Sequence, residues 1–135
     1  MNHLKLRAGE TFDYKLDGYE TCVVPATGTV DVEVSGETYA EIGNRVADVW
    51  DGDPEGVYVP TATGARITAR TDAEVFVAGA RYAETLRPFA VRSADLDLVQ
   101  YGSDDTKTHR KIKHILGAGH HDRVGRLLVS ELFTV

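Results

Sequence analysis

The chain is poor in everything that would build a disulfide scaffold, a membrane span or a helical bundle. Cys22 is its one cysteine, which excludes an intramolecular disulfide and a cysteine-clustered zinc site and fits a reducing cytoplasm. It lies in Thr-Cys-Val-Val with no adjacent base, so a buried structural thiol is expected rather than a nucleophile. No apolar run approaches the ~18 residues of a spanning helix, and the start, Met-Asn-His-Leu-Lys-Leu-Arg, carries no hydrophobic signal region. Positive charge is in deficit too: 15 Lys and Arg face 21 Asp and Glu, a formal net charge of -6. That balance works against nonspecific binding to nucleic acid or to an anionic membrane, both of which need a basic surface.

What remains is β-forming. The 135 residues suffice for one domain with a real core, or for one domain and the start of another. The densest signal runs from Val49 to Ala80: Val57 and Val59 share a side, and Ala65, Ile67 and Ala69 oppose Arg66, Thr68 and Arg70. That is a period of two, the mark of strands. With Pro60 to Gly64 and Thr71-Asp72 as connections, a β-meander is expected here. Upstream, Leu4 and Leu6, then Phe12, Tyr14 and Leu16, alternate with polar residues. Thr21 to Val24 is expected to be a short strand ended by Pro25 and Gly28, and Val30, Val32 and Val34 show the clearest alternation of all. Thr38 to Ile42 and Arg45 to Trp50 are expected as two strands joined by a Gly43-Asn44 turn.

Downstream, Phe89 to Arg92 forms a short strand, Ser93-Ala-Asp-Leu-Asp can cap a helical turn, and Leu98 to Tyr101 is extended. The polar loop Gly102-Ser-Asp-Asp-Thr divides the chain into 1–101 and 102–135. Beyond it, Arg110, Ile112, His114 and Leu116 are expected to share one strand face, and Arg126 to Val135 is a strongly β-prone strand. Short strands at regular intervals with Gly, Pro, Asn or Asp between them indicate an all-β antiparallel sandwich or jelly roll, here with a carboxy-terminal extension of strands. An open edge on that last strand invites a second copy, so a homodimer is expected.

Few residues suggest chemistry. Asp51-Gly-Asp-Pro-Glu-Gly56 starts like an EF-hand loop, but Pro54 interrupts it and Ala62 stands at the twelfth position, so an acidic turn is expected. His120-His121-Asp122 places neighbouring imidazoles on opposite sides of an extended chain and suits a solvent-facing loop. His109 and His114 fall on opposite strand faces. The basic tract Lys107 to His114 is either a solvated face or part of a pocket for a small anionic substrate. No glycine-rich phosphate loop, Ser-His-Asp arrangement or His-x-His is present.

Gly56-Val-Tyr-Val-Pro60, Thr68 to Glu74, Pro88 to Arg92, Thr108 to Leu116 and Asp122 to Val135, in that order and spacing, resemble the 5-deoxy-glucuronate isomerase family of inositol catabolism. That family also includes the 5-keto-4-deoxyuronate isomerase of pectin breakdown. The resemblance implies a cupin-type barrel and, for the family, two cupin domains in tandem with a divalent metal held by His-x-His, Glu and His in the second. The present chain corresponds to the first half, so the resemblance carries no metal ligand and no cofactor onto any residue here. The reaction it implies is aldose-to-ketose isomerisation of a deoxy-uronate, in which a metal polarises the carbonyl while a base moves a proton between neighbouring carbons. Arg110 falls in the domain-joining motif. Two functions follow as expectations: an inactive scaffold half of such an isomerase, whose substrate is a small anionic sugar acid, or a metal-free cupin-like module that binds a small carboxylate. Candidate substrate-binding residues are Arg66, Arg70, Arg110 and His114.

Overall fold

The computed structural model describes residues 1–103 and 108–134, apart from the side chains of 97–103, 108–110, 118 and 134. Its strands are β1 (Asn2–Leu6), β2 (Thr11–Tyr14), β3 (Tyr19–Val34), β4 (Glu37–Arg45), β5 (Gly56–Val59), β6 (Ala65–Ala69), β7 (Ala73–Arg81), β8 (Phe89–Val91), β9 (Asp97–Ser103), β10 (Thr108–Leu116) and β11 (Val129–Thr134). Every pairing is antiparallel. Among the described residues no helix is long and apolar enough to cross a membrane.

The whole sandwich is organised by β3. Its first half pairs with β7 and β5, and its second half, from Gly28, pairs with β4 and β6. One sheet is therefore ordered β1-β7-β3-β5-β8 and the other β2-β6-β3-β4, with β3 common to both. The passage between them occurs at a bulge where Pro25 and Thr27 face consecutive residues of β7. A proline that cannot donate to the ladder is accommodated at such a bulge. Pro25 and Gly28 therefore bend the strand; the expected stop there is corrected to a kink.

The expected meander is corrected as well. Strands β5, β6 and β7 are consecutive in sequence but never adjacent: β5 lies between β3 and β8, β6 between β2 and β3, and β7 between β1 and β3. Each connection crosses the core from one sheet to the other. Period-two alternation specifies which face a residue occupies, and a two-residue link such as Thr71-Asp72 is compatible with either a hairpin or a crossing. The Gly43-Asn44 pair lies inside β4, and residues 46–50 form bends and a turn in place of the expected strand. Ser93–Asp95 does form a single 3-10 turn, although Arg92 stands at its cap and no side chain caps it.

The core between the sheets is aliphatic. Val30, Val32, Val34, Ile42 and Ile67 from one sheet meet Val23, Val57, Val59, Val75 and Val77 from the other. Each such side chain contributes about 1.5–3 kcal/mol when fully buried. On its outer side the first sheet presents Cys22, Val24, Tyr58, Phe89 and Val91, and these are covered by Ile115, Leu116, Val124 and Leu127 from the carboxy-terminal segment. This third layer explains why β5 is buried on both faces, Tyr58 included.

The third layer also carries a separate sheet, ordered β11-β10-β9. A bulge between His114 and Leu116 inserts Ile115 against the partner strand, so both Ile115 and Leu116 turn inward. Leu116 thus leaves the face it was expected to share with His114. The last strand begins at Val129 rather than Arg126, because the preceding residues are engaged elsewhere.

Candidate functional site

The mouth and interior of a β-barrel are where a ligand pocket is expected. Here the interior is filled by Val, Ile and Ala side chains with relative exposures of 0–5 %, which offer no polar group to orient a substrate. Among the described residues, no group of three or more His, Cys, Asp or Glu is placed to hold a metal ion. Cys22 is fully enclosed, and burial pushes its thiol up to about 12. A thiol in that state is no nucleophile at neutral pH.

The acidic turn disperses its carboxylates. Asp51 accepts the backbone N–H groups of Ala47 and Asp48 at 3.0 Å each, and these hydrogen bonds hold its carboxyl below the usual range. Asp53 pairs with Lys113 at 2.7 Å. Buried Glu55 accepts the backbone N–H groups of Gly43 and Ser93, both at 3.0 Å. Three carboxylates close in sequence thus face three different structural tasks.

Of the expected substrate-binding arginines, Arg66 lies on the outer face of β6, opposite the inward Ala65, Ile67 and Ala69, and Arg70 directly follows the strand. Arg66 donates to both oxygens of Asp13, at 2.8 and 3.3 Å, its direct cross-strand neighbour. Arg70 donates to Asp31 at 2.6 Å and to Glu41 at 3.3 Å. Burial alone would raise the Asp31 carboxyl, but the Arg70 hydrogen bond, the Glu41 backbone N–H and the arginine's charge together lower it. A carboxyl lowered on folding adds stability above its unfolded pKa of about 3.9, lost as pH falls through the lower folded value. Arg66 also lines a shallow open groove of about 690 Å3 with Asp13, Lys15 and Glu33.

His114 lies on the separate sheet and does not join these arginines; its Nδ1 sits 2.8 Å from Ser130 Oγ. The backbone of Arg110 pairs with Tyr101 and Thr134, while its side chain, like that of His109, lies outside the described residues. So does part of the loop from Gly102 to Thr106. His120 accepts the Gly117 N–H at 3.3 Å and stacks on Phe89.

The most elaborate polar geometry, missed in the sequence reading, lies along the seam between the sandwich and the carboxy-terminal layer. Arg45, 2 % exposed, donates to both oxygens of Glu131 at 2.6 and 2.8 Å and to the Pro25 carbonyl at 2.9 Å. Glu20, fully buried, accepts the backbone N–H groups of Gly125 and Arg126 at 2.9 Å each. That contact keeps residues 125–126 out of β11. Near it, the Tyr58 hydroxyl is buried without a hydrogen-bond partner among the described residues. Burial, followed by the charge of Glu20, holds this phenol above its ordinary range. The only sequence signal for Glu20 was a charge adjoining the apolar run Thr21 to Val24.

The fold has a known counterpart. The model of the KduI/IolB family matches residues 1–135. The chain belongs to that family. A solved KduI/IolB-type neighbour, the crystal structure of an IolB-like protein from Salmonella typhimurium LT2, is 26 % identical with a TM-score of 0.85. The match covers 96 % of this chain and 48 % of the neighbour, so the chain spans about half of that protein's length. No curated protein matches the sequence. For this KduI/IolB chain the fold is thus a cupin-type antiparallel β-sandwich.

Proposed function

We propose that the chain is the amino-terminal, structural half of a metal-dependent sugar-acid isomerase of the KduI/IolB family, one that converts a deoxy-uronate from aldose to ketose. The observation that carries this reading is the aliphatic filling of the sandwich where a cupin would hold its ligand. Residues 1–101 then serve as scaffold, and 102–135 lead toward the half that bears the metal. No metal ligand and no proton-transfer step is assigned to this chain, because its described residues provide no converging donor set.

The scaffold also offers a surface for pairing. Leu128 and Leu132 are 74 % and 59 % exposed, and β11 pairs only with β10 among the described strands. Such an unpaired, partly apolar edge favours a homodimer. A small anionic sugar acid is the proposed substrate of the whole enzyme, and the cytoplasm its proposed compartment. The carboxylate-binding alternative through Arg66, Arg70 or Arg110 has less support at Arg66 and Arg70, since both guanidiniums already have carboxylate partners; the Arg110 side chain lies outside the described residues.

One experiment addresses both parts. The purified 135-residue chain, supplied with 5-deoxy-glucuronate and a divalent metal, should form no ketose and should sediment at twice its 14.8 kDa mass. Measurable isomerisation would contradict the scaffold role; a monomer at high concentration would contradict the pairing.

A further inference from the structure

The arginines of this chain divide into those with carboxylate partners and those without. Arg45, Arg66, Arg70 and Arg92 each lie within ion-pair distance of an Asp or Glu. Arg7, Arg81, Arg87, Arg123 and Arg126 have no such partner among the described residues; of these, Arg87 and Arg123 line one cleft of about 460 Å3 together with Thr85, Leu86, Pro88 and Asp122. In a protein with a net charge of -6, two guanidiniums set against the single carboxylate of Asp122 leave this recess with a local excess of positive charge.

We propose that this cleft binds a small hydroxylated carboxylate, separately from any catalytic centre. Arg123 is held for the purpose: its Cζ lies 3.9 Å from the ring centroid of Phe89. Phe89 is buried, and its ring is stacked 5.2 Å from Tyr58 and 5.8 Å from His120. A guanidinium held over a fixed ring by cation–π attraction loses little freedom on binding a carboxylate. Arg87 supplies a second cationic donor, as charge-assisted recognition of a carboxylate requires. Asp122 repels a second negative group but accepts hydroxyl protons. The Thr85 hydroxyl donates to the Thr61 carbonyl at 3.3 Å and retains lone pairs for a further donor. Leu86 and Pro88 present apolar surface to the C–H groups of the ligand, and the recess falls within the ordinary size range of small-molecule sites.

Sodium D-glucuronate and D-glucose, which differ at a single carbon, are the probes. Calorimetric titration of the 135-residue chain should show saturable binding of glucuronate and none of glucose. Arg87→Ala and Arg123→Ala should each weaken it at least tenfold, the scale expected for losing a charge-assisted hydrogen bond, whereas Arg66→Ala should leave it unchanged. Arg87 is exposed and makes no side-chain hydrogen bond or ion pair among the described residues, so its variant is informative even if Arg123→Ala disturbs the Phe89 stack. Absence of saturable glucuronate binding, equal binding of glucose, or full affinity in Arg87→Ala would overturn the proposal. Because this readout is binding, its failure is distinct from the appearance of isomerase turnover.

Discussion

Replacing Arg45 by alanine is expected to destabilise the chain by about 3 kcal/mol, the lower end of the range for breaking a buried ion pair. The guanidinium is almost fully enclosed, whereas the Glu131 side chain is 23 % exposed and can recover part of its hydration. The loss is shared between Glu131, left without its fork of donors, and the Pro25 carbonyl, left without its own. For a chain of this size the change should lower Tm by about 10 °C. Trp50 is the sole tryptophan and sits edge-on to Phe133 at 4.8 Å, so its fluorescence reports on β11 directly. Arg45→Met combined with Glu131→Leu should recover most of the stability, because removing both charges avoids an uncompensated carboxylate. A fall of only a few tenths of a kcal/mol in Arg45→Ala would show that the clasp is incidental.

Gly28→Ala should cost a comparable amount, for a steric reason. Gly28 has a φ of 83° where β3 passes from one sheet to the other. A Cβ there would meet the Asp72 carbonyl oxygen at 2.3 Å and both the Cα and Cβ of Ala73 at 2.7 Å. Two of these three atoms are backbone, so relief requires β3 and the start of β7 to separate. Overpacking at about 1–3 kcal/mol and a left-handed backbone at about 1–2 kcal/mol together predict a loss of about 2–5 kcal/mol. Gly36→Ala separates the two effects: its φ is 79° but a Cβ would find open space, so only the conformational part should appear. Equal urea midpoints for the two variants would mean that the close approach at Gly28 contributes nothing.

The faces of the regular strands were legible in the sequence, though not across the bulge at Ile115; their partners were not. Val30, Val32 and Val34 point inward as their alternation requires, and Arg66 points outward opposite Ala65, Ile67 and Ala69. Alternation contains no information on whether a turn closes a hairpin or crosses the core, and β5 to β7 were misjudged for that reason. Pro25 and Gly28 punctuate a strand in either of two ways, by ending it or by bending it, and only the pairing with β7, β4 and β6 distinguishes them. The buried Arg45 and Glu20 escaped notice because their partners, Glu131 and the Gly125-Arg126 backbone, lie far along the chain. Arg87 and Arg123 left no local signal either. Their significance rests on meeting in one cleft, a property of the folded molecule.

The filled interior is the feature on which the functional account turns. Its most direct test is metal analysis of the 135-residue chain after equilibrium dialysis against zinc or manganese and removal of free ion. The account predicts that no stoichiometric metal is retained. One equivalent bound per chain would place a coordination centre within this half and contradict its role as scaffold.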